Sequence, residues 1–133
     1  MTDEPTTNIF ENADLISVYT RAQALEDGTL ADLNQWIPVA ESGYKYPVAC
    51  TSAVFSIIER AVENKKFGND YRGVIWDILW MSRKNQIKSW ETGGLFQVKI
   101  TGADRKSIFT FKIDCGPGDD AAPVLTIMLP DED

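Results

Sequence analysis

The stretch that decides the fold is residues 94–129, which read GLFQVKITGADRKSIFTFKIDCGPGDDAAPVLTIML. Apolar and polar residues alternate over 96–100 and again over 109–115, and a third apolar run occupies 124–129. A period of two with short polar connections is typical of antiparallel strands that bury one face. Residues 94–129 are therefore predicted to form a three-stranded antiparallel meander.

Upstream of the meander, the apolar residues follow helical spacing. Residues 54–62 form a broad apolar face behind a cap at Thr51 or Ser52. A longer helix is predicted from about Tyr71 to Lys88, after the N-cap residue Asp70, and should be buried on most sides because apolar and tryptophan side chains cover over half of its circumference. Helices first and strands last predict an α+β protein with N-terminal helices packed on the C-terminal meander.

Shorter elements are predicted before residue 50. Thr20 and Gln23 match a capping box, and Gly28 suits the left-handed residue that ends a helix. Residues 30–33 follow as a short strand or extended segment. Pro38 then begins a second short helix, and a glycine ends it.

Length and composition predict one domain over residues 1–133, with 1–7 loose, about 8–90 mainly helical and 94–129 forming the sheet. No apolar run approaches the ~20 residues that a membrane span needs. The N-terminus has neither a basic start nor an apolar core like those of signal peptides. We therefore expect a cytoplasmic protein that does not insert into a membrane.

The chain has no histidine and two cysteines, Cys50 and Cys115. Without histidine, Ser-His-Asp and Cys-His arrangements are excluded, and two cysteines alone disfavour a structural zinc site. In a cytosolic protein we expect both cysteines to be buried free thiols, and a disulfide requires a fold that brings them together. With no catalytic constellation in the sequence, we predict a protein that is not an enzyme and that holds no cofactor or metal.

Charge is sorted along the chain. Residues 1–44 carry eight acids and one base, residues 45–112 carry twelve bases and six acids, and residues 113–133 carry six acids and no base. Such sorting predicts at least one strongly negative surface region, which acts on partners rather than on fold. The candidate partner-binding residues are Asp114, Asp119, Asp120, Asp131, Glu132 and Asp133.

Each candidate also has a structural interpretation. The loop at 116–120 is rich in turn-forming residues, and an acidic tail often only solvates a chain end. Asp77 interrupts an apolar run, which would make a buried carboxylate a catalytic candidate, but the helical wheel puts it on an exposed edge. Arg21 is the only base among the first 44 residues, and either pairs with a nearby acid or binds an anion.

Aromatic residues beside the basic middle of the chain raise the question of nucleic acid. Stacking of Trp36, Trp76, Trp80 and Trp90 on bases is one interpretation. Aromatic residues at helical spacing are more often core, and the pI is about 4.5. Direct nucleic-acid binding is therefore disfavoured.

Four stretches carry a resemblance: YTRAQALEDG at 19–28, WDILWM at 76–81, CGPGDD at 115–120 and TIMLP at 126–130. In this order they resemble a family of small bacterial proteins of unknown function that phages and plasmids often carry. The resemblance covers the chain from about residue 8 to its end. It implies an accessory protein of a mobile element that acts on a host system, and it supplies no binding residues.

We therefore expect a non-catalytic cytosolic interaction protein whose acidic surface binds a basic, nucleic-acid-binding host protein. One alternative is a binder or hydrolase of a nucleotide or other small anion that uses Arg21. Another is a structural subunit or homodimer without a ligand. The sequence leaves open the partner's identity, the oligomeric state and whether the acidic segments meet in space.

Overall fold

The computed structural model describes residues 19–84 and 94–132. Within these two ranges, four α-helices pack with a five-stranded mixed sheet, which confirms the α+β class. In chain order the elements are α1 (Arg21–Asp27), β1 (Leu30–Asp32), a 3-10 turn (Leu33–Gln35), α2 (Val39–Ser42), β2 (Val48–Thr51), α3 (Ser52–Glu63), α4 (Tyr71–Lys84), β3 (Gly94–Lys99), β4 (Ile108–Pro117) and β5 (Pro123–Met128).

The strand order in the sheet is β1-β2-β5-β4-β3. Strands β3, β4 and β5 pair antiparallel in sequence order, as the alternation predicts. The prediction of a three-stranded sheet was incomplete, because β2 pairs parallel with β5 and β1 pairs antiparallel with β2. Strand β2 is four residues long, shows no alternation and leads directly into α3, so its sequence resembles the start of a helix.

The two faces of the sheet differ. Phe96, Phe111, Ile113 and Ile127 point to one face, where they join the apolar residues of α3 and α4 in the core. Because successive strand residues point to opposite faces, Thr126 points to the other face. There α1 covers part of the sheet, and the cleft described below lies beside it.

The predicted starts of α1, α3 and α4 are confirmed, and so is the predicted end of α1. Thr20 and Gln23 form both bonds of a capping box, and Gly28 ends α1 with φ 87°. The Thr51 side chain caps α3 by accepting from the Val54 amide, and Asp70 caps α4 by accepting from the Gly73 amide at 2.8 Å. Local chemistry thus determines where these helices begin.

Two burial predictions were wrong. Trp76 and Trp80 are 40% and 43% exposed, so α4 is buried on one side and not on most sides. Cys50 is buried as expected, whereas Cys115 is exposed, and both thiols are free. The predictions for residues 1–7, for the end of the long helix at 85–88, and for Trp90 and Asp133 lie outside the described residues.

Candidate binding cleft

A cavity of about 500 Å³ lies between α1, the second face of the sheet and the chain's last described residues. We call it the Arg21 cleft. Its lining combines acidic and hydroxyl-bearing side chains with a single guanidinium among the described residues. The lining residues used below are Tyr19, Arg21, Thr29, Thr51, Asp114, Asp119, Thr126 and Glu132.

Arg21 joins α1 to strand β5. Its Nη1 donates to Thr126 Oγ1 and its Nη2 donates to the Leu125 carbonyl oxygen, both at 2.8 Å. Partial burial lowers the pKa of Arg21, and the neighbouring carboxylates of Asp119 and Asp32 oppose that shift. The ion pair expected for Arg21 is therefore replaced by two bonds to neutral oxygens, with acidic groups near the guanidinium.

Asp119 binds the first turn of α1 from the opposite end of the sequence. Its carboxylate accepts from the backbone amides of Arg21 at 2.7 Å and Ala22 at 3.0 Å. These two hydrogen bonds are the main reason that the pKa of Asp119 lies below its ordinary value. They satisfy backbone donors that the start of a helix otherwise leaves without an intrahelical partner.

The loop that carries Asp119 is a turn stabilised by hydrogen bonds of its own. The Gly118 amide donates to the Ala122 carbonyl oxygen at 2.7 Å, and Asp120 Oδ1 accepts from the Ala122 amide at 3.1 Å. Ala121 occupies the left-handed region with φ 69°. The turn interpretation therefore holds for this loop, which also presents Asp119 to α1.

The last turn of α1 is held by a second carboxylate. Asp27 accepts from the Tyr19 hydroxyl, and it also accepts from the Thr29 amide at 3.0 Å and the Thr29 hydroxyl at 2.7 Å. These bonds, led by the one from Tyr19, lower the pKa of Asp27. Both ends of α1 are thus fixed by carboxylates with depressed pKa values.

Glu132 brings the end of the chain to the wall of the cleft. Its Oε1 accepts from Thr51 Oγ1 and from the Leu129 amide, both at 2.8 Å. Its backbone carbonyl oxygen accepts from Lys112 Nζ at 2.7 Å. The acidic tail is therefore bonded to the sheet as far as residue 132.

The structure brings some of the predicted residues together. Arg21, Asp114, Asp119 and Glu132 line the same cleft, and Asp120 follows Asp119 in the loop. Asp131 instead lines a separate surface cavity with Arg60, Lys106 and other residues. The acidic loop and tail thus converge through Glu132, whereas Asp131 is directed to a region that also contains bases.

Sequence reasoning missed the hydroxyl groups of the cleft. Thr51 and Thr126 each bind a charged side chain of the cleft. Threonine is common in strands for reasons of packing, so its presence carried no functional signal. The one available signal was polar alternation within β5, where Thr126 lies between two apolar residues.

Other candidate features give a simpler result. Asp77 lies on the exposed edge of α4, as the helical wheel predicts. Its carboxyl is still partly covered by neighbouring atoms, and this partial burial raises its pKa. Burial also raises the pKa of the Cys50 thiol, which makes this thiol a poor nucleophile. Within residues 19–84 and 94–132, no group of three Cys, Asp or Glu side chains is placed to hold a metal ion. No described helix has the length and apolar character needed to cross a bilayer.

The fold and the cleft define a small α+β protein in which a short helix is bonded by charged groups to a mixed sheet. Residues 6–133 match the model of one protein family, so the chain belongs to that family. It is the family of unknown function DUF6573. No curated protein and no solved structure matched the chain.

Proposed function

We propose that this protein is a non-catalytic interaction protein that binds a basic protein partner at the Arg21 cleft. The observation that carries the proposal is that three carboxylates from separate segments, those of Asp114, Asp119 and Glu132, line one cavity. Among the described lining residues, one guanidinium opposes them. A concave surface with an excess of one charge concentrates its field and attracts groups of the opposite charge.

The size and lining of the cleft favour a single long cationic side chain of the partner, a lysine or an arginine. Hydroxyl oxygens such as Thr29 Oγ1 and Thr51 Oγ1 add acceptors for its N–H groups. Asp119 and Glu132 are already held by backbone hydrogen bonds, so little side-chain entropy remains to be lost when a cation binds. Asp114 is exposed on the same wall, where it meets an approaching partner first.

The proposed setting follows from the resemblance described above. An accessory protein carried by a phage or plasmid would act in the host cytoplasm on a host protein. A nucleic-acid-binding protein presents the clustered lysines and arginines that an acidic cleft requires. Competition with nucleic acid for such a surface is the mechanism we propose.

A titration with a lysine-rich decapeptide tests the cleft directly. We expect binding to weaken severalfold between about 50 and about 300 mM salt, because ions screen exposed charges. Asp114→Asn should weaken binding about two- to fivefold, the usual effect of one exposed charge. Glu63→Gln, an equal charge change on exposed α3, is the matched control and should leave binding unchanged.

A pull-down from host lysate extends the test to the natural partner. The partner retained by wild-type protein should be lost at moderate salt and in a variant with Asp114→Asn and Asp120→Asn. A partner set that ignores both changes, or that is lost equally in Glu63→Gln, would contradict binding at the cleft.

A second candidate is binding of a small anion such as a nucleotide by Arg21. The observation that favours it is that the described bonds of the guanidinium go to neutral oxygens, so its charge has no direct ion pair among them. Titration with a panel of nucleotides, with and without divalent cations, tests this function. Binding that Arg21→Lys weakens by tenfold or more, because the forked donor is lost, would favour it over the basic partner. No binding across the panel would remove it.

A further inference from the structure

Two loops meet at one end of the sheet: the loop between α3 and α4, residues 64–70, and the loop between β3 and β4, residues 100–107. Three side chains from α3 and its loop donate hydrogen bonds of 2.8 to 3.2 Å to the carbonyl oxygens of residues 101–103, and these side chains are Arg60, Asn64 and Asn69. The two loops therefore form one fixed surface, which we call the basic corner.

The basic corner holds more cations than carboxylates. Its two loops carry four cations and two carboxylates: Lys65, Lys66, Arg105, Lys106, Asp70 and Asp104. Each carboxylate accepts from a backbone amide, Asp70 from Gly73 at 2.8 Å and Asp104 from Arg105 at 3.1 Å. None of the four cations forms an ion pair with another residue in 19–84 or 94–132. Two cations and two carboxylates lie at its border: Arg60, Lys99, Glu63 and Asp131.

Phe67 joins the two loops through an aromatic contact. Its ring packs on Gly102, where an added Cβ would lie 2.9 Å from a ring carbon. The side chain is nevertheless 53% exposed, so the backbone supports part of the ring and the rest faces solvent. Lys65 and Lys66 directly precede Phe67 in the chain. An exposed ring beside cations is the arrangement that single-stranded nucleic acids use, since their bases stack on the ring and their phosphates meet the cations.

We propose that the basic corner binds a single-stranded nucleic acid. One base stacks on Phe67, and Lys65, Lys66 and Arg105 hold the neighbouring phosphates. Lys106 is partly engaged elsewhere, because its Nζ lies 5.0 Å from the centroid of the Phe109 ring. Stacking and phosphate contacts do not read base identity, so the binding is tolerant of sequence.

The acidic cleft does not cancel the charge of the basic corner. The corner precedes Ile108, the first residue of β4, whereas Asp114 of the cleft lies about 20 Å further along the same strand. The screening length in 0.1 M salt is about 10 Å, so exposed charges at that separation hardly interact. The acidic pI describes the chain as a whole, and a ligand at the corner meets the local excess of cations.

The small size of the corner favours a single strand over larger polyanions. A duplex or an anionic membrane presents a broad negative surface, which would also meet the acidic regions of a chain with net charge −7. A flexible strand can follow the short path across the two loops. A duplex also keeps its bases stacked on one another, so only a single strand offers a free base to Phe67.

Fluorescence anisotropy with a labelled oligo(dT) of about 12 nucleotides tests the phosphate contacts. We expect a dissociation constant of about 1–100 μM at about 50 mM salt, and a slope of about −2 in log K against log salt for three contacts. Lys65→Ala with Lys66→Ala should reduce that slope by about 1.4. Lys45→Ala with Lys84→Ala removes two exposed lysines outside both loops and should leave binding unchanged.

A second pair of measurements tests stacking. Phe67→Leu keeps an apolar contact with Gly102 but removes the ring, and should weaken binding of oligo(dT) about five- to a hundredfold, the range for one stacked base. An abasic oligonucleotide of the same length carries the phosphates without bases. Wild-type protein should bind it more weakly than oligo(dT), whereas Phe67→Leu should bind both equally. Circular dichroism checks that each variant keeps the native fold.

Four results would overturn the inference. The first is no binding of oligo(dT) at protein concentrations up to about 500 μM. The second is an equal loss in the two double-lysine variants, and the third is equal binding of oligo(dT) and the abasic strand by wild-type protein. The fourth is a preference for phosphatidylserine vesicles or for poly-glutamate, which would assign the corner to a membrane or an acidic protein.

Binding at the basic corner stands independently of the proposed function. Asp114→Asn, which should weaken binding of the lysine-rich peptide at the cleft, should leave binding of oligo(dT) unchanged. Lys65→Ala with Lys66→Ala should have the opposite pattern. Each site can therefore fail its own test without affecting the other.

Discussion

The Arg21 cleft and the α4 ridge, the exposed stripe of Arg72, Trp76, Trp80 and Lys84 on α4, are built in opposite ways. The cleft joins residues far apart in the chain. The Arg21 backbone amide donates to Asp119 across 98 positions, and the Arg21 guanidinium donates to Thr126 across 105 positions. The ridge consists of neighbouring turns of one helix, and its tryptophans are exposed. Polar residues of the cleft therefore contribute to the fold itself, whereas aromatic residues of the ridge are available for association at little expense to folding.

The largest effect should come from removing Arg21. Arg21→Ala deletes two hydrogen bonds from a charged, partly buried donor, so we expect the free energy of unfolding to fall by about 2–4 kcal/mol. Lys84→Ala removes a cation from the exposed ridge and should change stability by less than about 0.5 kcal/mol. Urea unfolding of both variants measures the difference, and equal losses would refute the contrast.

A smaller effect is expected at Gly43, beside the ridge. Gly43 has φ 87°, and an added Cβ would overlap the Arg83 guanidinium. Gly43→Ala should lower the free energy of unfolding by about 1–2 kcal/mol. Gly28→Ala is the matched control, because Gly28 also has φ 87° but no atom lies within 4 Å of an added Cβ.

Thermal unfolding of the two glycine variants separates backbone strain from crowding. The greater loss in Gly43→Ala measures how firmly Arg83 is held against α2. If Gly28→Ala is as destabilising as Gly43→Ala, Arg83 moves away freely and the end of the ridge is adaptable.

The next effect concerns the stability of the fold at low pH. Hydrogen bonding lowers the pKa values of Asp119 and Asp27 in the folded protein below their unfolded values. These groups therefore stabilise the fold above about pH 4, the ordinary aspartate range, and the stabilisation is lost as pH falls through the depressed folded values. Asp119→Asn should reduce the drop in melting temperature between about pH 5 and about pH 3. An unchanged slope would show that the carboxylate at α1 does not contribute.

The ridge tryptophans should contribute little to stability. Trp80→Ala removes a side chain that is 43% exposed and should lower the free energy of unfolding by less than about 1 kcal/mol. Leu79→Ala, one residue earlier and fully buried, should lower it by about 3 kcal/mol. Chemical unfolding of this neighbouring pair checks the assignment of exposed and buried faces, and a larger loss in Trp80→Ala would reverse it.

Much of the fold could be predicted because its signals are local. Thr20, Thr51 and Asp70 cap helices through atoms within three residues, and alternation over 109–113 shows the buried face of β4. Strand β2 could not be predicted in this way. Its parallel pairing with β5 joins residues 48–50 to 125–127, and nothing local indicates so distant a partner.

The candidate site was predictable only in part. Charge sorting singled out Asp114, Asp119 and Glu132, which line the cleft, and it singled out Asp131 as well, which lines a different cavity. Charge counting cannot separate adjacent residues that face different surfaces. The error at Trp76 and Trp80 has a similar origin, because a helical wheel gives spacing but not the side on which the core lies.

The attachment of α1 has a dynamic consequence. This seven-residue helix contributes a single buried side chain, Ala24, and is otherwise held by Arg21, Asp27 and Asp119. A segment with so little apolar burial opens in local fluctuations well before the whole domain unfolds. Amide protons of residues 24–27 should exchange faster with deuterium than those of β4 and β5. Because the same three side chains lie in or beside the cleft, the rate at which α1 detaches sets how often the second face of the sheet is uncovered.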